Sequence, residues 1–269
     1  MVFVPAFYVV VRHFTPNVFF VLVTPAALLA LWEFYRLHFR DQPARLDSSL
    51  GLASALVLLV VMQWPDTVAI LPILTMTLMV LLVSRLWSPR NIKHGLGDAA
   101  ILVLGTLYVA WTLGHLLLIR KLPDGPYLIF FLFLVTWAGD TGAYYAGLGL
   151  GSHRLAPVIS PNKTVEGLIG GLALAVVTAV LAHLWFLQGL SLGQSLVAGL
   201  LLGIAGVLGD LLESAFKRSA GVKDSGVLIP AHGGMLDRLD SLLLTAPAFY
   251  YYLYYLALVK PGAPMMPIH

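Results

Sequence analysis

Long apolar stretches alternate with short polar breaks along this chain, and the alternation predicts eight membrane-length helices. They run over Asn17–Leu37, Ser48–Gln63, Thr67–Ser84, Gly97–Ile119, Pro126–Gly147, Gly167–Leu187, Leu192–Leu212 and Ser241–Val259. A hydrocarbon core of about 30 Å asks for about 20 helical residues, so Ser48–Gln63 is short for a span. Val2–Val11 is apolar but has about half the needed length. It reads either as a first helix lying partly in the interface or as the remainder of a longer one.

The breaks between these segments are not equivalent. Arg36, Arg40 and Arg45 share one; Arg85, Arg90 and Lys93 lie two breaks later, then Arg154 and Lys163, then Lys217, Arg218, Lys223 and Arg238. Arg12, Arg120, Lys121 and Lys260 fall in the alternate positions. Positive residues concentrate on the cytoplasmic side of membrane proteins. The larger group, twelve of the sixteen Lys and Arg, is therefore expected to face the cytoplasm, and the C-terminus the opposite side.

Composition narrows the class. The chain has 269 residues, 59% of them hydrophobic and 11% charged, with a mean hydropathy of +0.88. Soluble domains carry about 25% charged residues, so too little charge is present to cover a water-exposed surface. The expected fold is an all-α, polytopic integral membrane protein of about eight to nine transmembrane helices with a cytoplasm-facing polar site. Residues 1–135 are expected to form N-terminal membrane helices and 136–269 the C-terminal helices that carry the chemistry. Together they make a single membrane domain with no separate soluble domain. A formal charge of +3 gives no argument for a nucleic-acid partner, and the absence of cysteine excludes disulfides, thiol nucleophiles and cysteine metal sites. Met1–Val11 has neither a basic start nor a small-residue cleavage pattern, so no removable signal peptide is expected.

Reactive side chains gather in three places after residue 136. The first is Trp137-Ala-Gly-Asp140-Thr-Gly-Ala-Tyr144. An ionised Asp within a span costs about 2.5–3.5 kcal/mol on insertion scales, so Asp140 needs a partner or a wet cavity, and Trp137, Asp140 and Tyr144 share one helical face. The second is Ser160-Pro-Asn162-Lys163-Thr164-Val-Glu-Gly167, which leads into a span. Hydroxyls, an amide and a Lys at a helix N-terminus suit an anion such as phosphate, although capping by Ser160 or Thr164 accounts for part of the pattern.

The third is the densest: Gly209-Asp210-Leu-Leu-Glu213-Ser214-Ala-Phe-Lys217-Arg218, then Lys223-Asp224-Ser-Gly, then Pro230-Ala231-His232-Gly233-Gly234-Met-Leu-Asp237-Arg238-Leu-Asp240-Ser241. A continuing helix places Asp210, Glu213, Ser214 and Lys217 on one face. Asp237 and Asp240 repeat the three-residue spacing at the start of the last span. Glycines between them let backbone N–H groups approach a ligand closely. Magnesium takes oxygen ligands, usually one or two carboxylates plus substrate phosphates. Two carboxylate pairs flanking a basic, glycine-containing loop thus point to Mg²⁺, with room for a second cation, holding a nucleoside triphosphate. Solvated surface ion pairs are the blander explanation, and it leaves the carboxylates at both span boundaries unaccounted for.

The run from Ser214 to Asp240 resembles the diagnostic segment of the phosphatidate cytidylyltransferases, the CDP-diacylglycerol synthases. Asp140-Thr-Gly-Ala-Tyr144, Ser160-Pro-Asn-Lys163-Thr164, Gly209-Asp210-Leu-Leu-Glu213-Ser214 and, less specifically, Trp32-Glu33-Phe34-Tyr35 are similar to the family as well. Two positions depart from it: Ala231 stands where members often have Gly, and Leu148 where many have Arg. The resemblance implies a reaction of CTP with phosphatidic acid giving CDP-diacylglycerol and pyrophosphate at a cytoplasm-facing site in a bacterial cytoplasmic (inner) membrane. It implies divalent-metal dependence, with Asp210 and Asp237 as the metal ligands. On this reading Lys217, Arg218, Lys223 and Arg238 neutralise the triphosphate and lipid phosphate, while Glu213, Asp224 and Asp240 orient them or a metal-bound water. His232 contacts phosphate or shapes the loop. Asp140, Tyr144, Ser160, Asn162, Lys163, Thr164, Ser214, Gly233 and Gly234 are expected to bind substrate. The competing classes are a CTP-dependent polyprenol or phytol kinase, an ether-lipid cytidylyltransferase and a secondary transporter. Small residues in Gly167–Gly171 and Gly199–Gly209 suit close helix packing within one chain or across a homodimer.

Overall fold

The computed structural model describes residues 11–12, 15–39, 45–65, 67, 69–87, 94–222 and 234–259. Each of the eight expected segments is helical: α1 (Pro16–His38), α2 (Arg45–Gln63), α3 (Ile70–Val83), α4 (Gly95–Lys121), α5 (Gly125–Leu150), α6 (Val165–Trp185), α7 (Leu192–Ser219) and α8 (Leu236–Val259). A short 3₁₀ turn, Ser84–Trp87, extends α3, and one wide turn, Thr106–Trp111, lies inside α4. Helices α1, α4, α5, α6 and α7 are each long and apolar enough to cross a membrane. The chain is an all-α polytopic integral membrane protein.

Its one departure from helix, among the described residues, is an antiparallel hairpin of β1 (Arg154–Ala156) and β2 (Ser160–Thr164). The polar segment before α6, expected as a loop, is therefore a strand. Val2–Val11, save its last residue, and the segment 223–233 lie outside the described residues, and with that segment lie Lys223, Asp224, His232 and Gly233.

The described chain forms two compact units. One gathers residues 16–118 and 234–238. Its centre is Tyr35, fully buried on α1, whose hydroxyl donates to the Leu102 carbonyl at 2.9 Å and shares a 2.8 Å hydrogen bond with the Thr106 hydroxyl. A buried phenol needs such partners. The ring fits because Gly51 and Gly105 face it; a Cβ on either would come within 2.6 Å of a Tyr35 atom. Glu33, also fully buried, accepts the Leu236 backbone N–H at 2.8 Å.

The other unit gathers residues 119–222 and 239–259, with Val11, Arg12 and Thr15. Its helices pack through small residues. The buried positions of α6 are Gly167, Gly171, Ala175, Ala179 and Ala182, while Ile169, Val177, Leu181 and Leu184 point outward. That inverted distribution suits a lipid surround, where large apolar side chains lose nothing outside and small ones let backbones touch. Gly142 of α5 faces the Gly170 carbonyl of α6 so closely that a Cβ would lie 2.7 Å from it. The small-residue runs Gly167–Gly171 and Gly199–Gly209 thus pack within one chain, on α5, α6 and α8.

Candidate active site

The polar groups of the second unit collect at one end, where the C-terminal parts of α5 and α7 meet the N-terminal parts of α6 and α8. Helix α7 sets the level. Its start is fixed by a reciprocal cap, the Ser191 hydroxyl accepting the Gln194 N–H and the Gln194 side chain accepting the Ser191 N–H. From Leu192, a rise of about 1.5 Å per residue carries the helix roughly 27 Å before Asp210. Asp210 thus follows an apolar stretch about as long as a hydrocarbon core is thick, and α7 continues to Ser219.

Asp210 is the hub. Its Oδ2 lies 2.6 Å from the Lys163 ammonium, with the two side chains 35% and 23% exposed. Its Oδ1 accepts a 3.4 Å hydrogen bond from the Ser214 hydroxyl one turn on. Asp140 of α5 and Asp240 of α8 stand within electrostatic range of Asp210 and Lys163. Asp140 accepts a hydrogen bond from the Ser241 hydroxyl. Gly209 makes the α7–α8 approach possible, since a Cβ there would lie 2.5 Å from the Asp240 carbonyl oxygen.

Lys163 reaches this cluster because the hairpin is tied down around it. Thr164 caps α6 by accepting the Gly167 N–H at 3.1 Å. Glu166 accepts the Ser152 and His153 N–H groups at 3.1 and 3.2 Å and pairs with the His153 ring at 2.6 Å. Arg218, at the end of α7, donates to the Ile159 and Val222 carbonyls at 3.2 and 3.0 Å. Strand alternation sets Lys163 opposite in facing to Ser160, Asn162 and Thr164. Asn162 is exposed.

Glu213 and Lys217 form a second, drier pair on α7, 2.6 Å apart, with side chains 1% and 13% exposed. Tyr144 is exposed and meets Tyr145 edge to face. Gly234, Asp237 and Arg238 belong to the other unit, where the Asp237 carboxylate accepts the Gly234 N–H at 3.0 Å and so holds the entry of α8. Of the residues expected at the site, the structure thus brings together Asp140, Lys163, Asp210, Ser214 and Asp240. Ser241, buried beneath Asp140, was not expected there. Its signal was adjacency to Asp240 at the mouth of a span.

Three carboxylates and two hydroxyls around one ammonium make an oxygen-rich cluster, the donor chemistry a hard divalent cation prefers. Among the described residues no three acidic or His side chains converge into a ready-made metal cage.

An apolar helical bundle with such a cluster at one end defines an integral membrane protein with a polar, carboxylate-rich site. The chain belongs to the cytidylyltransferase family, whose model matches residues 1–256. It is 37% identical over 227 residues to the phosphatidate cytidylyltransferase of Staphylococcus haemolyticus, covering 82% of this chain and 84% of that protein. Proteins of the same name from Staphylococcus saprophyticus (38% over 203 residues, 73% and 76% covered) and Staphylococcus aureus (37% over 228 residues, 82% and 84% covered) are similarly close.

Proposed function

We propose that this protein is a phosphatidate cytidylyltransferase, forming CDP-diacylglycerol and pyrophosphate from CTP and phosphatidic acid. The observation that carries the reading is the Asp140–Asp210–Asp240 cluster around Lys163, at the end of a membrane bundle, in a chain this similar to phosphatidate cytidylyltransferases over most of its length. A lipid phosphate held at the bilayer edge and a nucleotide entering from water would meet at that level.

In the reaction, an oxygen of the phosphatidate phosphomonoester attacks the α-phosphorus of CTP. The bond from that phosphorus to the bridging oxygen of the β-phosphate breaks, and pyrophosphate leaves with the bonding pair. The nucleophile is already ionised at neutral pH, so no strong general base is needed. The obstacle is repulsion between two polyanions, and positioned charge is the remedy. Lys163 supplies a cation at the cluster, while Lys217 and Arg218 extend positive charge along the exit of α7. Ser214 and Ser241 hold Asp210 and Asp140 in place, and Gly209 keeps Asp240 against α7.

Asp210 would hold Mg²⁺, with Asp237 the proposed second ligand from the family resemblance; Asp140 and Asp240 stand within electrostatic range of Asp210. Bound there, the ion would neutralise charge on the phosphates and the departing pyrophosphate. The Lys and Arg distribution supports a cluster facing the cytoplasm, and the bacterial relatives support a cytoplasmic membrane as its setting. The test is which phosphorus of CTP reaches the lipid: transfer of the α-phosphorus, dependent on phosphatidate and a divalent cation, supports the reading. Transfer of the γ-phosphorus alone makes the protein a CTP-dependent lipid kinase.

A further inference from the structure

Lys163 holds one of the two Asp210 oxygens through which that carboxylate would bind a divalent cation. Its ammonium lies 2.6 Å from Oδ2, while Oδ1 is engaged by Ser214. An ammonium and a divalent cation cannot share one carboxylate oxygen at contact distance without strong repulsion. We propose that Lys163 is an exchangeable counter-ion: it neutralises Asp210 until a divalent cation takes the carboxylate, and then turns to the incoming phosphate. This rests on the proposed function, in which Asp210 binds the cation.

The moving part is the side chain alone. The backbone around Lys163 is fixed by the Thr164 cap, by Glu166 holding Ser152 and His153, and by Arg218 holding Ile159. A flexible four-carbon stem with a compact charge is suited to change partners without disturbing the hairpin, which a rigid, forked guanidinium is not. The side chain is 23% exposed, so water is present to ease the exchange. The surrounding charge agrees: Lys163 is within electrostatic range of Asp210, Asp140 and Asp240, so a divalent ion at this cluster compensates the carboxylates better than one ammonium does. Metal first and nucleotide second then becomes the favoured order, because the metal frees the lysine that greets the triphosphate. Lys163 thus opposes metal binding and assists nucleotide binding, two effects of opposite sign from one side chain.

The test measures Mn²⁺ alone, without nucleotide, by paramagnetic resonance titration of the detergent-purified full chain. Lys163→Met is expected to tighten Mn²⁺ by about three- to tenfold, the scale of a partly exposed ion pair, and Lys163→Gln to do the same. Arg154→Met, which removes one exposed positive charge from the same hairpin at the position paired with Thr164, is expected to stay within about twofold. With Mn²⁺ saturating, the Lys163 variants are expected to bind CTP at least about tenfold more weakly. If Asp210→Asn loses Mn²⁺ but the Lys163 variants bind it no more tightly than wild type, the exchange is wrong and the metal-ligand role stands. Equal tightening by Arg154→Met also overturns it, as an effect of overall charge. If Asp210→Asn binds Mn²⁺ normally, both the exchange and the assignment of Asp210 as metal ligand fail.

Discussion

Glu33 shows how much one side chain can carry. It is fully buried on α1 and accepts the Leu236 N–H at 2.8 Å, anchoring a residue two hundred positions away at the start of the last helix. Removing the acceptor leaves that N–H in an apolar setting, which costs about 1–3 kcal/mol. Glu33→Ala is expected to lower the thermal midpoint in detergent by several degrees, whereas Glu33→Gln, which keeps a carbonyl oxygen, loses less than half as much. An equal loss for both would show that the hydrogen bond is not what matters. Residues related by helical spacing were the readable ones. Asp210 and Ser214 sit one turn apart and are in contact, as are Glu213 and Lys217. Lys163 on Asp210, Ser241 on Asp140 and Glu33 on Leu236 were not readable as pairs. Each joins distant segments, and periodicity carries no information about which helix stands beside which.

Among the elements, the α7–α8 contact depends on Gly209. A methyl group there would meet the Asp240 carbonyl oxygen at 2.5 Å, a backbone atom that cannot swing away. Gly209→Ala is therefore expected to destabilise the fold by about 1–3 kcal/mol and to cut turnover by at least about tenfold, because separating α7 from α8 separates Asp210 from Asp240. Wild-type turnover in this variant would show that the close approach does not set the site. The hairpin was the element the sequence hid. Its strands are three and five residues long with no alternating apolar pattern, and Pro161 within β2 argues against a strand unless it lies at a sheet edge. In a two-stranded sheet both strands are edges. The wide turn in α4 was hidden too, since an extra residue in a helical turn leaves no mark in a uniformly apolar run. The cap was legible as a choice between Ser160 and Thr164, and the structure gives it to Thr164, the hydroxyl directly before α6.

At the scale of the whole molecule, hydropathy revealed all eight helices but not their lateral order. In α6 the outward residues Ile169, Leu181 and Leu184 are as apolar as any core, and small residues mark the inside. A soluble protein would show the reverse, so inside and lipid-facing sides cannot be told apart by polarity. The up-and-down course is testable because the chain has no cysteine. Helix α7 is 28 residues long, about 42 Å, long enough for its ends to reach beyond both faces of a core of about 30 Å. A membrane-impermeant maleimide added outside intact cells is expected to label Gln188→Cys and to reach Ser219→Cys only after permeabilisation; the opposite pattern would invert the topology.

The proposed reaction is tested most directly by a lipid-extraction assay with CTP labelled at either the α- or the γ-phosphorus. The purified protein is supplied with phosphatidic acid and Mg²⁺, and Asp210→Asn is run beside wild type. The expected result is that α-label alone enters the organic phase, that EDTA abolishes it, and that Asp210→Asn lowers it at least about 100-fold. Entry of γ-label alone, or full α-transfer by Asp210→Asn, would contradict the reaction and the role given to Asp210.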